Sequence, residues 1–454
     1  MGGRGEGARE FGRSATLLSA GVGTAGLLTY VYFSLASHNL GPDEYGEVVV
    51  LWSAVFISIS VLYRPVEQLL SRTIAERQAR GQPVGSALRV AATIQLGVAI
   101  ATATLVLVLR DPLQDDLLGG SEALYWVMFF ALLAFGASFF ARGYLAGNRR
   151  FVLLAGLLVA ESFSRAAFAL AVALGIASGQ TAVALGIAAA PALSLLVVPL
   201  AFGGRAVRTT RAEAALGASG PEAEASEFDL AQGGGFAAAV LLVMLSEQTM
   251  LNAGPLIVRG FEGAAAAGFI FNVLLLARAP LVVFQGVATS LLPHLTRLRA
   301  RGEAGDEAFR LSVAGTLRAV AAFTAVVAVV VAVAGPELMQ VAFGDSFSYD
   351  RAGLLIVTAG MGLYLTATTL SQAAVAQGRV RRAAACWAVC AVAFLVWCLL
   401  PVFDEPRRIE VGFTAAAALL ALLLRPLYRT PGERFEPGSA EELEARLAVA
   451  DEAS

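Results

Sequence analysis

Long apolar segments recur along the whole chain, and they constrain its fold more than any other feature. A helix needs about 20 apolar residues to cross the hydrocarbon core of a bilayer, and twelve segments approach or reach that length. The mean hydropathy of +0.70 also exceeds that of soluble globular proteins. The sequence therefore predicts an all-α integral membrane protein. The predicted spans are 15–36, 47–70, 90–109, 123–145, 152–176, 181–202, 236–258, 264–292, 311–334, 353–376, 383–402 and 411–424.

Arginines fall mainly in alternate loops, which predicts the orientation in the membrane. All 33 cationic side chains are Arg; 24 of them lie on one side of the predicted spans and five on the other. Because loops rich in Lys and Arg stay in the cytoplasm, we expect both termini there. The absence of Lys suggests a GC-rich coding bias, so the expected location is the plasma membrane of a bacterium.

The two halves of the chain resemble each other. The segment "LLSRTIAERQARG" (69–81) ends the second predicted span, and "LLPHLTRLRARG" (291–302) ends the eighth. Gly46 and Gly268, near the starts of these two spans, are separated by the same length of chain as Leu69 and Leu291. Six spans per half is an even number, so both halves begin in the cytoplasm and the repeat is parallel.

A second pair of segments supports the repeat. "LAGNRRF" (145–151) follows the fourth predicted span and "AQGRVRR" (376–382) follows the tenth, with Gly147 and Gly378 in register. These two glycines are farther apart in the chain than Gly46 and Gly268. We assign the larger separation to a longer outer loop at 335–350.

The repeat predicts two six-helix lobes around a central cavity. Between them lies a stretch rich in Gly, Ala and Glu, typical of a flexible linker. The predicted organisation is an N-terminal lobe at 1–202, a cytoplasmic linker at 203–232, a C-terminal lobe at 233–428 and a cytoplasmic tail at 429–454.

Three segments resemble a known family. They are "LASHNLGPDEYGEVVVLWS" (35–53), "ARAPLVVFQGVATSLLPHLTRL" (277–298) and "LSQAAVAQGRVRRAA" (370–384). Together with the six-plus-six repeat, they resemble the O-antigen-type flippases of polysaccharide biosynthesis, within the multidrug/oligosaccharidyl-lipid/polysaccharide (MOP) superfamily. The resemblance implies a cavity that opens alternately to each side of the membrane. It also implies an undecaprenyl-diphosphate-linked glycan as the usual cargo.

Charged side chains inside the predicted spans mark candidate sites, because a charge at the bilayer centre costs about 2.5 to 3.5 kcal/mol on insertion scales. Arg278, Arg64 and Arg165 are the candidates for binding the cargo, since a guanidinium binds phosphate oxygens in a bidentate way. Arg278 lies near the middle of its span and has no acidic neighbour in sequence within one helical turn. It is therefore the principal candidate.

Two of these arginines have an acid on their own helix, which leaves two interpretations open. Glu161 precedes Arg165 by four residues, the favoured order for an ion pair on one helix face, and Arg64 precedes Glu67 by three. Each set is either a pair that neutralises itself or a charged group with a function.

Glu247 and Glu161 are the candidates for coupling transport to a proton or another cation. Glu247 lies at mid-depth in the seventh predicted span, with no basic residue within one turn. The alternative is a purely structural role, in which Glu247 is hydrogen-bonded to Gln248 or to polar groups on a neighbouring helix.

Three classes of function can be compared on the sequence. The first is a flippase for a lipid-linked glycan, the second a cation-coupled multidrug antiporter of the same superfamily, and the third a membrane glycosyltransferase or polymerase. The third class needs catalytic groups, and no paired carboxylates stand out in the predicted outer loops. We therefore expect no enzyme, no catalytic residues and no cofactor, and the resemblance favours the flippase.

Few other ligands or partners fit this composition. Three cysteines within one apolar stretch and two distant histidines are a poor set of metal ligands, so we expect no metal site. We expect contacts with membrane lipids and with a lipid-linked glycan, but not with nucleic acid. The protein is expected to be a monomer that works beside glycosyltransferases or a polymerase of the same pathway.

Overall fold

A computed structural model describes residues 3–201, 230–278, 295, 303–347, 349–400, 402 and 405–429. Regular structure in these residues is helical throughout, which confirms the predicted all-α class. The helices are α1 Gly3–Asn39, α2 Pro42–Leu62, α3 Arg64–Ala79, α4 Gly85–Val108, α5 Glu122–Gly147, α6 Phe151–Ala173, α7 Gly179–Ser194, α8 Leu230–Glu262, α9 Ala264–Arg278, α10 Glu303–Phe343, α11 Arg351–Ala376, α12 Val380–Leu399 and α13 Glu405–Arg429.

The described helices have the length and surface of membrane spans. Among the described residues, eleven helical stretches are long and apolar enough to cross a bilayer. Their outward faces are apolar; on α10, for example, Val329 is 64% and Val333 is 70% exposed. Water disfavours a large apolar surface of this kind, whereas lipid accepts it. The chain is therefore a multi-pass membrane protein. Part of the predicted span at 264–292 lies outside the described residues.

The described helices form two compact units. Unit 1 comprises the described residues of Met1–Asn39 and Ala54–Gly233, and unit 2 comprises those of Leu40–Ser53 and Gly234–Glu444. Helix α2 therefore begins in unit 2 and ends in unit 1. The predicted lobes at 1–202 and 233–428 stay a prediction. Most of the predicted linker at 203–232 and of the tail at 429–454 lies outside the described residues.

Helix lengths and starts support the internal repeat. Helices α5 and α11 both have 26 residues. The interval from the start of α5 to the start of α6 equals the interval from the start of α11 to the start of α12. Both α5 and α11 begin at a capping side chain: Ser121 accepts a hydrogen bond from the Leu124 N–H, and Asp350 accepts one from the Gly353 N–H.

The predicted register of Gly147 with Gly378 is wrong by two positions. The ends of α5 and α11 align Gly147 with Ala376 and Arg149 with Gly378. The two glycines serve different purposes. Gly378 has a φ of 76° beyond the end of its helix, whereas a Cβ on Gly147 would lie 2.9 Å from the Ser71 carbonyl oxygen of α3.

Equivalent helices also pack in equivalent ways within each unit. In unit 1, Ile74 of α3 packs beside Ala91 of α4, with Tyr144 of α5 against them. In unit 2, Leu295 packs with helices α10 and α11 through Val313 and its neighbours. Leu295 in unit 2 therefore packs against two helices, as Ile74 does in unit 1.

Several boundaries differ from the predicted spans, and three of these differences change the local structure. The predicted outer loop at 335–350 is wrong in its first part, because α10 continues through Pro336 to Phe343. Met339 and Phe343, one helical turn apart, are both buried there, and this packing offsets the backbone hydrogen bond that proline removes. The second predicted span is divided at Tyr63, where Pro65 suits the first turn of α3. The last helix is longer than predicted, at 25 residues.

Two glycines that the repeat makes equivalent lie against each other inside unit 2. A Cβ on Gly46 of α2 would overlap the Ala264 carbonyl group, and a Cβ on Gly268 of α9 would lie 3.1 Å from the Gly46 Cα atom. Tyr45 donates a hydrogen bond to the Asn272 side-chain oxygen beside this crossing. Only glycine lets the two backbones approach so closely.

Candidate functional site

A close helix contact brings the charged residues of unit 1 together. Helices α3 and α5 meet at Gly143, where a Cβ would lie 2.8 Å from the Glu67 carbonyl oxygen. Because glycine permits this approach, Arg142 of α5 lies beside Glu67 of α3. Glu161 and Arg165 belong to the neighbouring helix α6.

Glu161 lies at the centre of a hydrogen-bonded trio with Arg142 and Arg165. Its Oε1 accepts from an Arg165 Nη2 at 3.2 Å, and its Oε2 accepts from an Arg142 Nη2 at 2.5 Å. The Ser138 hydroxyl donates to the same Oε2 at 3.1 Å. Two guanidiniums and one carboxylate give the trio a formal charge of +1. Glu161 and Arg165 thus form the ion pair that their spacing favours, with Arg142 as a third member.

The trio is largely removed from solvent. Glu161 is 5% exposed and Arg165 is 3% exposed, whereas the side chain of Arg142 keeps 13% of its surface. The Arg142 guanidinium also lies over the Phe139 ring, 4.5 Å from its centroid. The Arg142 Nε atom is buried and has no hydrogen-bond partner among the described residues. Arg142 is thus the most exposed member of the trio.

Arg142 was missed as a site residue on the sequence. It lies inside the predicted span at 123–145, but we counted it with the cytoplasmic arginines. A signal was available, because Gly147, Arg149 and Arg150 mark the end of the helix. This places Arg142 more than one turn inside it.

Arg64 and Glu67 lie at the edge of this cluster. Glu67 is within electrostatic reach of Arg64, Arg142 and Glu161. Arg64 is exposed at the first position of α3. In the part of the chain that the structure describes, Arg64 and Glu67 form no direct ion pair. Of the three predicted cargo-binding arginines, Arg64 and Arg165 belong to unit 1 and Arg278 belongs to unit 2.

Glu247, the predicted coupling acid, contacts a neutral partner in unit 2. Its Oε1 accepts a hydrogen bond from the Tyr364 hydroxyl at 2.8 Å. Tyr364 is fully buried, edge-on to Trp387 at 5.8 Å and stacked on Phe413 at 6.2 Å. Across residues 230–278 and the other described ranges, no arginine pairs with Glu247. The partner is the polar group on a neighbouring helix that the structural alternative requires.

Arg278, the principal candidate, contacts an amide. One of its Nη1 hydrogens is donated to the Asn252 side-chain oxygen at 3.1 Å, and the Asn252 amide nitrogen donates to Gln248 Oε1 at 2.9 Å. Gln248 and Asn252 were not singled out on the sequence. Two amides four residues apart in an apolar helix were the available signal, since that spacing puts them on one face.

The chemistry of these groups is that of binding. Within the described residues, no group of three His, Cys, Asp or Glu side chains is placed to hold a metal ion. The cysteines at 386, 390 and 398 are present as free thiols. Guanidiniums suit phosphate or carboxylate oxygens, and a carboxylate beside a tyrosine hydroxyl suits a proton or a small cation.

Several solved structures share this fold. An inward-facing multidrug resistance MATE family transporter of the MOP superfamily has a TM-score of 0.67 at 13% identity, over 92% of this chain and 96% of that one. A MOP superfamily transporter from Pyrococcus furiosus has a TM-score of 0.60 at 16% identity, over 92% and 96%. The eukaryotic MATE transporter AtDTX14 has a TM-score of 0.60 at 14% identity, over 98% and 100%.

At these identities the likeness establishes the fold alone. The chain has the fold of the MATE transporters of the MOP superfamily. This finding agrees with the predicted fold class. No family model and no curated protein sequence matches the chain.

Proposed function

We propose that this chain is a membrane transporter that flips or exports a polyprenyl-diphosphate-linked oligosaccharide or polysaccharide precursor across the bacterial cytoplasmic membrane by alternating access. The trio of Arg142, Glu161 and Arg165 supports this proposal most directly. Buried charges inside membrane spans are costly, and they therefore indicate a functional role. A trio with a net positive charge attracts a diphosphate and repels a cationic drug.

Unit 2 adds a second cationic group. Arg278 donates a hydrogen bond to the Asn252 amide oxygen, which carries no charge. For the Pyrococcus furiosus transporter, a reverse polarity of the binding pocket suggests a different function. Pocket polarity can therefore differ among proteins of this fold. In our proposal Arg142, Arg165, Arg64 and Arg278 bind the phosphate groups of the cargo.

A cation-coupled multidrug antiporter is the second candidate. It is favoured by the multidrug transporters among the structural neighbours and by Glu247, whose carboxylate contacts a hydroxyl rather than a guanidinium. Under the flippase proposal, Glu247 serves as the coupling site for a proton or another cation, and Glu161 holds the arginines.

Transport measured in proteoliposomes that contain the purified chain distinguishes the two functions. The assay compares a labelled polyprenyl-diphosphate glycan with a cationic dye. We expect glycan transport, and a loss of about tenfold or more in Arg142→Ala, because charge-assisted hydrogen bonds of this kind contribute about 1.5 to 3 kcal/mol. Arg142→Lys keeps the charge without the bidentate geometry, and an intermediate rate is expected.

A matched control is Arg72→Ala, which breaks an exposed ion pair with Glu76 at 2.6 Å on α3. It should leave transport unchanged. Transport of the dye without transport of the glycan, or full glycan transport in Arg142→Ala at normal insertion levels, would contradict the proposal.

The proposed setting is the plasma membrane, with both termini in the cytoplasm and the chain acting as a monomer beside the glycosyltransferases or polymerase of its pathway. The distribution of arginines supports this orientation. A reporter fused after Ser454 should be active only on the cytoplasmic side. Activity of the fusion outside the cell would reverse the orientation.

A further inference from the structure

An acidic pair lies where α11 and α13 of unit 2 begin. Arg407 contacts both acids: its Nη2 donates to Asp350 Oδ2 at 3.0 Å, and its Nη1 donates to Glu410 Oε2 at 3.0 Å. The Gly353 N–H donates to the same Asp350 Oδ2 at 3.2 Å, which caps α11. One guanidinium therefore serves two carboxylates, and the three side chains together have a formal charge of −1.

The remaining oxygen of each acid lies near the same place, which the Tyr349 ring also borders. A Cβ on Gly353 would lie 2.5 Å from Glu410 Oε1 and 3.0 Å from Asp350 Oδ1. The two oxygens are therefore no farther apart than about two hydrogen-bond lengths, which a direct hydrogen bond or one bridging water covers. Glu410 Oε1 is buried and has no hydrogen-bond partner within the described part of the chain.

The two acids differ in their access to solvent. The side chain of Glu410 keeps 1% of its surface, whereas that of Asp350 keeps 51%. The neighbour of Glu410 at the contact of α13 with α8 is the buried, apolar Ile409. A buried carboxylate oxygen without a donor is costly. A protonated carboxyl group is itself a donor, and a nearby carboxylate oxygen accepts from it.

The other charged groups around the pair make separate contacts. Arg351, the first residue of α11, pairs with Glu337 of α10 at 3.5 Å. Arg408 of α13 donates to the Cys398 carbonyl oxygen of α12 at 3.3 Å. Within the described residues, Arg407 is thus the only arginine that pairs with either acid.

We propose that Asp350 and Glu410 share one bound proton, so that the start of α11 and α13 is a proton-binding site of unit 2. Two carboxylates that share a site favour the form with one proton between them. The proton gives Glu410 Oε1 a partner and removes the excess negative charge, and the exposed Asp350 connects the pair to solution. The site is separate from the one proposed at Glu247, because Tyr364 lies about 16 Å farther along α11 than Gly353.

The first measurement compares the stability of the purified full-length chain with that of Glu410→Gln at a series of pH values. Glutamine is uncharged, and its amide oxygen still accepts a hydrogen bond from Arg407. Carboxyl groups of an unfolded chain are ionised above about pH 5, so the folded chain binds one proton more. We therefore expect the folding equilibrium constant of the unmodified chain, relative to Glu410→Gln, to fall about tenfold per pH unit from about pH 5 to neutrality.

Asp350→Asn tests whether the proton is shared. Asparagine still caps a helix and still accepts from Arg407, but Glu410 is then paired one to one with Arg407 and no excess charge remains. In this background, adding Glu410→Gln should no longer change the pH dependence. The matched control is Glu337→Gln, which removes a nearby acid whose side chain is 61% exposed. This variant should keep the pH dependence of the unmodified chain.

Infrared spectroscopy of the folded chain observes the proton directly. A protonated carboxyl group has a carbonyl stretch of its own, distinct from the bands of a carboxylate. We expect this band at neutral pH in the unmodified chain and in Glu337→Gln. It should be missing from the difference spectrum of Glu410→Gln, where a merely structural role of Glu410 would leave no such change.

Three outcomes would overturn the inference. The first is the same pH dependence of stability in Glu410→Gln as in the unmodified chain. The second is a full effect of Glu410→Gln in the Asp350→Asn background, which would mean that the proton is not shared. The third is stabilisation by sodium at constant pH that Glu410→Gln abolishes, which would replace the proton by a metal cation. None of these results bears on glycan transport, which the variants of Arg142 test.

Discussion

The helix pair α5–α6 of unit 1 and the helix pair α11–α12 of unit 2 have equivalent places in the repeat, yet they carry opposite kinds of side chain. The two helices of each pair start at the same interval, which aligns the pairs position by position. In unit 1 the pair holds Arg142, Glu161 and Arg165. The residues at the equivalent positions of unit 2 are Ser371, Cys390 and Phe394.

Aromatic packing replaces the charges in unit 2. Trp387 of α12 is 1% exposed, and its indole N–H donates to the Ser371 hydroxyl at 3.1 Å. Its ring is edge-on to Tyr364, which in turn contacts Glu247. A single hydroxyl thus satisfies the indole, and apolar surface fills the remaining volume.

The difference shows that this packing of two helices does not depend on charge. The equivalent helix pair of unit 2 packs without these charges, and a buried charge trio adds little stability compared with well-packed apolar groups. The charges of unit 1 therefore indicate a functional role rather than a structural requirement. Substitutions that remove these charges, singly or together, test the contrast between the two units directly.

The largest effect on stability is expected for Glu161→Gln. The amide keeps the shape, but Arg142 and Arg165 then face a neutral group in a buried place. Breaking a buried ion pair on one side costs about 3 to 5 kcal/mol, so the free energy of unfolding in detergent should fall by that amount. A loss below about 1 kcal/mol, the value typical of exposed pairs, would mean that the trio is solvated.

The elements of the fold could largely be predicted from the sequence, because spans follow from the lengths of apolar segments. Errors arose where packing overrides local signals. Gly335 and Pro336 suggest a loop, but the buried Met339 and Phe343 continue α10 as a helix. A glycine in each of two similar motifs suggested a register, although Gly147 is needed for close packing and not for a positive φ.

The site was only partly predictable, because a sequence shows neighbours on one helix and not those across helices. The contact of Glu161 with Arg165 follows from a spacing of four residues. The contact of Glu161 with Arg142 depends on how α5 packs against α6, and that of Glu247 with Tyr364 on how α8 packs against α11. Sequence spacing reveals neither.

A smaller effect is expected when the whole trio becomes apolar. The triple variant Arg142→Met, Glu161→Leu and Arg165→Met replaces the three charged side chains with uncharged ones, as in unit 2. Its free energy of unfolding should lie within about 1 to 2 kcal/mol of the unmodified chain, since the three charges are removed together and Glu67 keeps Arg64 within electrostatic reach. Glycan transport should be lost. A triple variant as unstable as Glu161→Gln would show that unit 1 needs its charges to fold.

A loss of about 1 kcal/mol is expected for Tyr364→Phe in unit 2. The ring and its contacts with Trp387 and Phe413 are kept, but Glu247 Oε1 loses a donor at 2.8 Å. The matched control is Tyr32→Phe in unit 1, whose hydroxyl donates to the neutral Val183 carbonyl at 3.1 Å. Comparison of the two unfolding curves isolates the contribution of the Glu247 carboxylate to stability. An equal or greater loss in Tyr32→Phe would contradict the importance of that carboxylate.

The smallest effect on stability, under about 0.5 kcal/mol, is expected for Glu247→Gln, in contrast to the same change at Glu161. The amide oxygen of glutamine still accepts a hydrogen bond from the Tyr364 hydroxyl, and no arginine in the described residues pairs with Glu247 and loses its partner. Function should change far more, because an amide binds neither a proton nor a cation in place of a carboxylate. Transport measured against pH and against sodium gradients should lose its dependence on the coupling ion. Glu247→Asp, which keeps the charge, should retain part of it. If Glu247→Gln is inserted normally and keeps the full dependence on pH and sodium, then Glu247 is a structural partner of Tyr364, and the coupling site is elsewhere.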